Sequence, residues 1–188
     1  MDTMQFRQAL EEFGQRVERV PSNAWASPTP CADWDVRTLV NHLVGELRWL
    51  PPILAGKTIE EVGDQFDGDL LGDDPAATYR AATSEAIAAA EQPGVLGRTV
   101  HLSFGDVPGT EYLAQVTSDL TIHSWDLARG AGLETRLDRE LVGAVYEFMA
   151  PQADAWRGAG AFGPVVDVGK DADAQERLLA ITGRRASA

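Results

Sequence analysis

The stretch SDLTIHSWDLARGAG, residues 118–132, decides how the rest of the chain is read. It has the look of the last turns of a helix closed by Gly130 and Gly132, and it brings Asp119, His123, Trp125 and Asp126 into one short segment. Leu113, Val116, Leu120 and Leu127 form an apolar stripe through a helix predicted from about Thr110 to Arg129. Asp119 and His123 are four apart, so one stands above the other on a flank of that stripe, together with Tyr112 and Asp126. Polar groups at the edge of a core need partners. The pair is either an ordinary helix-stabilising contact or part of a metal site.

A second helix repeats the pattern. Asp35 is a plausible N-cap for VRTLVNHLVGELRWL, residues 36–50, in which Val36, Leu39, Val40, Leu43, Leu47 and Leu50 make one stripe. His42 lies on its flank, with Glu46 one turn on and Trp49 beside it, and Pro51 and Pro52 are predicted to break or kink the helix. Two helices thus each carry a histidine and a carboxylate four apart beside a core seam. If the helices are neighbours, His42, Asp119 and His123 meet across the bundle. Two imidazoles and one carboxylate suit Zn²⁺, Ni²⁺ or Fe²⁺ and leave coordination positions open for water or substrate.

The remaining segments frame these two. A helix is predicted over residues 3 to about 19 and stops at Pro21; residues 21–35 read as a loop. The acidic, glycine-rich residues 57–74 read as a solvated loop with room for one short helical turn, and their spacing does not match a calcium loop. An alanine-rich helix starts at Pro75 behind Asp74 and runs to Pro93. Alternation around Val100, Leu102 and Phe104 predicts a short hairpin or extended cover. A helix over about 138–155, an extended FGPVVDV and a last helix in DADAQERLLAITG complete the chain. Four or five long helices with short connections and no dividing linker predict an all-α helical bundle, one domain over 1–188. His101 reads as exposed on the polar face of the hairpin. Cys31 reads as a packed cysteine, with no histidine adjacent in sequence, and Trp34 and Trp49 as core residues. No nucleophile elbow, phosphate-binding loop or dinucleotide glycine motif is present.

Composition narrows the function. The net charge of −13 argues against nucleic acid and anionic membranes as partners and leaves small molecules or proteins. A single cysteine, Cys31, permits no intramolecular disulfide, and no signal pattern opens the chain, so a cytoplasmic location is expected. No apolar run approaches a membrane span.

PTPCADWDVRTLVNHLVGE (28–46) and SDLTIHSWDLARGAG (118–132) together resemble the mycothiol-dependent maleylpyruvate isomerase-like metal-binding domain family of the DinB-like group. The tail FGPVVDVGKDADAQERLLAITGR (162–184) is similar to a branch of single-domain members. The resemblance implies a four-helix bundle in up-down-down-up order with a divalent metal at one end. It places the ligands at His42, Asp119 and His123; the family more often has glutamate where Asp119 stands. It further implies Zn²⁺ first and Ni²⁺ second as the metal, and mycothiol as cosubstrate. The expected activity is a thiol S-transferase or isomerase acting on a small electrophile. Metal-dependent hydrolysis, or a non-catalytic metal-binding or stress-response role, are the alternatives. Glu46 and Asp126 are then candidates for orienting ligands or transferring protons, and Arg129 for meeting an anionic substrate group or capping its helix. Related bundles form dimers, so a homodimer is a further expectation. The isomerase itself carries a second, C-terminal domain for which 188 residues leave no room, so maleylpyruvate isomerisation is not expected.

Overall fold

A computed structural model describes residues 1–186, which divide into two compact units, Met1–Thr135 and the residues from Arg136 onward. In the first unit, α1 (Thr3–Arg19) begins at Asp2, whose carboxylate accepts from the backbone N–H groups of Met4 and Gln5. Its buried stripe is Phe6, Leu10, Phe13 and Val17. α2 (Val36–Leu54) starts at Asp35, which accepts from the Thr38 N–H at 2.7 Å. A single-turn helix, α3 (Ile59–Val62), interrupts the acidic loop, and α4 (Pro75–Ala90) buries Tyr79, Ala82, Ala86 and Ala90. The hairpin pairs β1 (Thr99–Leu102) antiparallel with β2 (Gly105–Pro108), Thr99 opposite Pro108. It delivers the chain into α5 (Gly109–Ala131), the longest helix of the described residues.

α1 packs on α5 and α4, and α2 packs on α4 and α5, so the four long helices form a bundle with the ring order α1, α5, α2, α4. Tyr79 of α4 reaches across to α1, where it donates to the Leu10 carbonyl at 2.9 Å and its ring lies over Gly14. The stripe residues Leu39, Leu43, Leu47 and Leu50 are fully buried. The ring order makes α2 and α5 neighbours, the condition on which the two histidine-bearing flanks depend. The expected helical bundle with a short hairpin cover is therefore the observed fold.

Two local expectations are corrected. α2 does not end at Pro51–Pro52 but continues to Leu54. The missing N–H groups fall opposite the Leu47 and Arg48 carbonyls, and the last turn is restored when Ala55 donates to the Pro51 carbonyl and Lys57 to that of Pro52. Nor does α5 close at Gly130. It runs through to Ala131 and is capped by Gly132 at φ +69°. Gly130 serves a different purpose: a Cβ there would lie 2.9 Å from Thr29 Cγ2 and 3.1 Å from the Pro28 carbonyl oxygen. Only a residue without a side chain lets α5 and the loop before α2 come this close.

The second unit is built from α6 (Arg139–Met149), α7 (Ala153–Gly158) and α8 (Ala174–Ile181), with α6 packed on α8. The single helix expected over 138–155 is interrupted by a 3₁₀ turn, Ala150–Gln152, at Pro151, whose ring cannot continue the α-helical hydrogen bonding. The FGPVVDV stretch is held to α8 by the Val166 N–H, which donates to the Ala180 carbonyl. Among the described residues no helix is long and apolar enough to cross a membrane.

Candidate metal centre

α2 and α5 face each other where His42, Asp119 and His123 converge. Ligating atoms of the three side chains all lie within 4.8 Å of one another. His42 Nε2 is 3.0 Å from Asp119 Oδ2, and His123 Nε2 is 3.3 Å from Asp119 Oδ1. The carboxylate thus stands between the two imidazoles, whose ring centroids are 5.4 Å apart. Asp119 has helical spacing to His123 on its own helix and meets His42 only through packing, which is why the three gather at one place. Being one methylene shorter than glutamate does not keep Asp119 from reaching both rings.

A second layer stands behind His123. Its Nδ1 lies 2.9 Å from Asp126 Oδ2, and Asp126 is fully buried. A carboxylate on Nδ1 fixes the tautomer that turns Nε2 toward an ion, the usual arrangement behind a metal-bound histidine. Cys31 closes the same corner: its Sγ is 3.3 Å from Asp126 Oδ2 and 3.6 Å from His123 Nδ1. Cys31, His123 and Asp126 form a second group of potential ligands sharing His123 with the first. Trp34 roofs both imidazoles, with centroid separations of 4.8 Å to His42 and 5.8 Å to His123.

The loop carrying Cys31 and Trp34 is internally fixed. The Thr29 hydroxyl accepts from the Cys31 N–H and donates to the Trp34 carbonyl, and Asp33 turns the chain at φ +66°. The Val36 N–H donates to the Ser27 carbonyl, so the loop is tied to the start of α2.

The electrostatics follow from this crowding. Burial by itself would raise the Asp119 carboxyl, but His123 and then His42 outweigh it and hold it far below the usual carboxylate range. Burial would lower the His123 imidazole, but Asp119 first, then Asp126 and Cys31, push it well above the ordinary histidine value. Glu46 behaves oppositely: burial, reinforced by the Asp119 carboxylate, pushes its carboxyl up. Burial and then Glu46 also push up the phenol of Tyr112.

Beside His42 the wall of α2 opens into a cleft of about 240 Å³, lined by Asn41, Glu46, Trp49, Phe66, Asp67 and their neighbours. Asn41 and Arg37 hold the acidic loop across it. The Asn41 side chain donates to the Gly68 carbonyl and accepts from the Leu70 N–H, while Arg37 pairs with Asp69 at 2.8 Å. The loop expected over 57–74 is therefore pinned to α2 and is not merely solvated.

The predicted site residues separate accordingly. His42, Asp119 and His123 come together, Asp126 stands directly behind His123, and Glu46 lines the adjoining cleft. Arg129 is not among them; it is exposed, with its guanidinium 5.7 Å over the Trp125 ring. His101 pairs with Asp106 on the hairpin at 2.8 Å. Trp49, expected in the core, lies half-buried on the cleft wall, T-shaped to Phe66 at 6.2 Å. Trp34, also expected in the core, instead covers the histidines, and Cys31, expected to be merely packed, joins the layer behind them. Sequence adjacency concealed both contacts. The available signal was the position of residues 31–34 just before the Asp35 cap, which puts them at the end of α2 nearest His42.

Residues 6–128 match a family model described as the mycothiol maleylpyruvate isomerase N-terminal domain. Uncharacterized proteins from two strains of Mycobacterium tuberculosis are each 30% identical to the chain over 142 residues, 73% of this chain and 71% of theirs. Crystal structures of the mycothiol-dependent maleylpyruvate isomerase and of a mutant of it share the fold. Their TM-scores are 0.58 and 0.65, at 14% and 13% identity, over 86% of this chain and 72% of that one.

Proposed function

This chain belongs to the mycothiol maleylpyruvate isomerase N-terminal domain family, and on that premise we propose that it binds one divalent metal through His42, Asp119 and His123 and uses it in thiol chemistry on a small electrophile. The observation that carries this reading is the convergence of three ligating groups within 4.8 Å, one of them backed by a buried carboxylate. Two neutral imidazoles and a carboxylate fit zinc first and nickel second. When bound, such a metal supplies a Lewis acid that lowers the pKa of a thiol and keeps it as thiolate.

The chain's own groups supply the rest. Asp126 orients His123 through Nδ1, and Cys31 fixes Asp126 in turn. Trp34 covers both imidazoles and keeps water from that side. Glu46, on the cleft wall with its carboxyl pushed up by burial, is the base of this reading: as a carboxylate it takes the proton of the thiol and returns it to the product. The thiol is of the low-molecular-weight, mycothiol type, and the reaction is S-conjugation or isomerisation through a thiol adduct.

Metal content by plasma mass spectrometry on untagged protein, with and without His123→Ala, tests the first half. About one zinc or nickel per chain, lost in the variant, supports it; negligible metal after reconstitution removes it. Conjugation of an electrophile by metal-loaded protein with and without added thiol tests the second half. Turnover that needs no thiol would favour hydrolysis by a metal-bound water instead.

A further inference from the structure

The cleft beside His42 has a one-sided chemistry. Glu46 and Asp67 contribute carboxylates to its lining, Trp49 and Phe66 contribute aromatic faces, and no lysine or arginine is among the lining residues. No hydrogen bond within the described residues reaches the Glu46 carboxyl, although it lies half-buried on the cleft wall. Arg37, the guanidinium of α2 that reaches the facing loop, is engaged by both oxygens of Asp69 at 2.8 and 3.0 Å and by the Gly72 carbonyl at 3.0 Å. Asn41 uses its amide and its carbonyl on the Gly68 and Leu70 backbone. Asn41 is thus engaged with the loop, Arg37 directs its Nη2 to Asp69 and Gly72 and is not in the lining, and His42 turns its Nε2 to Asp119 at 3.0 Å, so the two carboxylates and the aromatic faces dominate what a ligand meets.

We propose that this cleft seats the body of the electrophilic substrate and selects a cationic or uncharged ring-bearing molecule over a carboxylate-bearing one. The inference rests on the metal-and-thiol reading for the word substrate, but its charge selection belongs to Glu46, Trp49, Phe66 and Asp67 alone. In metal-free protein a carboxylate entering the cleft faces like charges with no lysine or arginine in the lining and loses its hydration. An ammonium group gains two carboxylates and the faces of two rings. The volume of about 240 Å³ suits a single ring with a short substituent.

Benzylamine, benzamide and benzoate share a ring and differ in charge, so they are the probes. Each is titrated into metal-free protein, where no bound ion adds charge beside His42, and binding is followed by NMR at the Trp49 indole N–H, assigned with Trp49→Phe. The expected order of affinity is benzylamine, benzamide, benzoate, with at least about fivefold between the extremes, the scale of a partly exposed charge pair. The double variant Glu46→Gln/Asp67→Asn should compress that order. Benzoate binding at Trp49 as tightly as benzylamine in metal-free protein overturns the proposal, as does an order that the double variant leaves unchanged or the absence of any shift at Trp49. Conjugation is scored separately. If the charge order holds while thiol conjugation fails, the selection stands and the thiol reading falls. If conjugation succeeds but prefers carboxylated electrophiles, the thiol reading stands and the selection falls.

Discussion

α2 and α5 each carry a histidine and a carboxylate four residues apart, and the structure treats them differently. On α5, Asp119 and His123 both turn to the shared centre, and His123 is 9% exposed with a buried carboxylate behind it. On α2, His42 reaches the centre with 29% of its side chain exposed, and Glu46 turns into the cleft instead. The same spacing makes a holding wall on one helix and a presenting wall on the other. What separates them is the second layer: α5 has Asp126 and Cys31 behind its histidine, α2 has open space beside its own.

That contrast predicts unequal losses. His123→Ala should abolish metal binding and also destabilise the metal-free protein by about 3 kcal/mol, because it takes the imidazole partner from the buried Asp126 and removes a partner of Asp119. His42→Ala should abolish metal binding as completely but cost less than about 1 kcal/mol of stability, as expected for a partly exposed pair. Urea denaturation with the metal chelated measures both, and equal losses would erase the distinction between the walls. Next in size, Asp126→Asn should weaken metal affinity by about 10- to 100-fold while the protein stays folded, since it spoils the orientation of His123 without removing a ligand. A competition titration against a chromophoric chelator reads this directly, and an unchanged affinity would leave Asp126 a packing residue. Glu46→Gln should leave metal content intact and lower thiol conjugation by about 100-fold, the usual share of one proton-transferring group. If it instead releases the metal, Glu46 belongs to the holding wall.

The smallest effect is graded with pH. In metal-free protein His123 is raised, so the stability it contributes is present below about pH 6.5 and is lost as pH rises through its higher folded value. Asp119 is lowered, so its contribution is present above about pH 4 and is lost only in strong acid. A metal requires neutral imidazoles, so its own stabilisation grows with pH. The rise in melting temperature on adding zinc should therefore increase from pH 6 to pH 8, as calorimetry can check, and a flat response would mean that His123 carries no proton to displace.

The helices were readable from the sequence because their signals are local. Stripes such as Leu39-Leu43-Leu47-Leu50, with helix starts at Asp35 and Asp74, are set within a few residues. The placement of the Asp119–His123 pair was readable for the same reason. The contact between Cys31 and His123, 92 residues apart, was not, because it depends on how a loop folds back on a neighbouring helix. Trp49 and Trp34 depart from the core placement expected of them on the same ground: apolar bulk on a helix flank or in a loop says nothing about which wall it will line. Of the break or kink expected at Pro51–Pro52, the break does not occur, because two prolines so close to a helix end remove few hydrogen bonds.

The absent side chain at Gly130 has an evolutionary corollary. The loop bearing Cys31 and Trp34 sits against α5 only where no methyl group intervenes, with Thr29 and Val36 filling the space that it would occupy. Glycine within a helix carries a propensity penalty of about 1 kcal/mol relative to alanine, so drift alone would tend to replace it. Relatives that keep the loop's contact with His123 should therefore keep glycine at this position. Those that have exchanged it should show a compensating change to a smaller residue at the position of Thr29 or Val36. An alignment of relatives can be scored for this three-way covariation without any assay of metal or thiol, and it would sort descendants that retain the corner from those that have let it go.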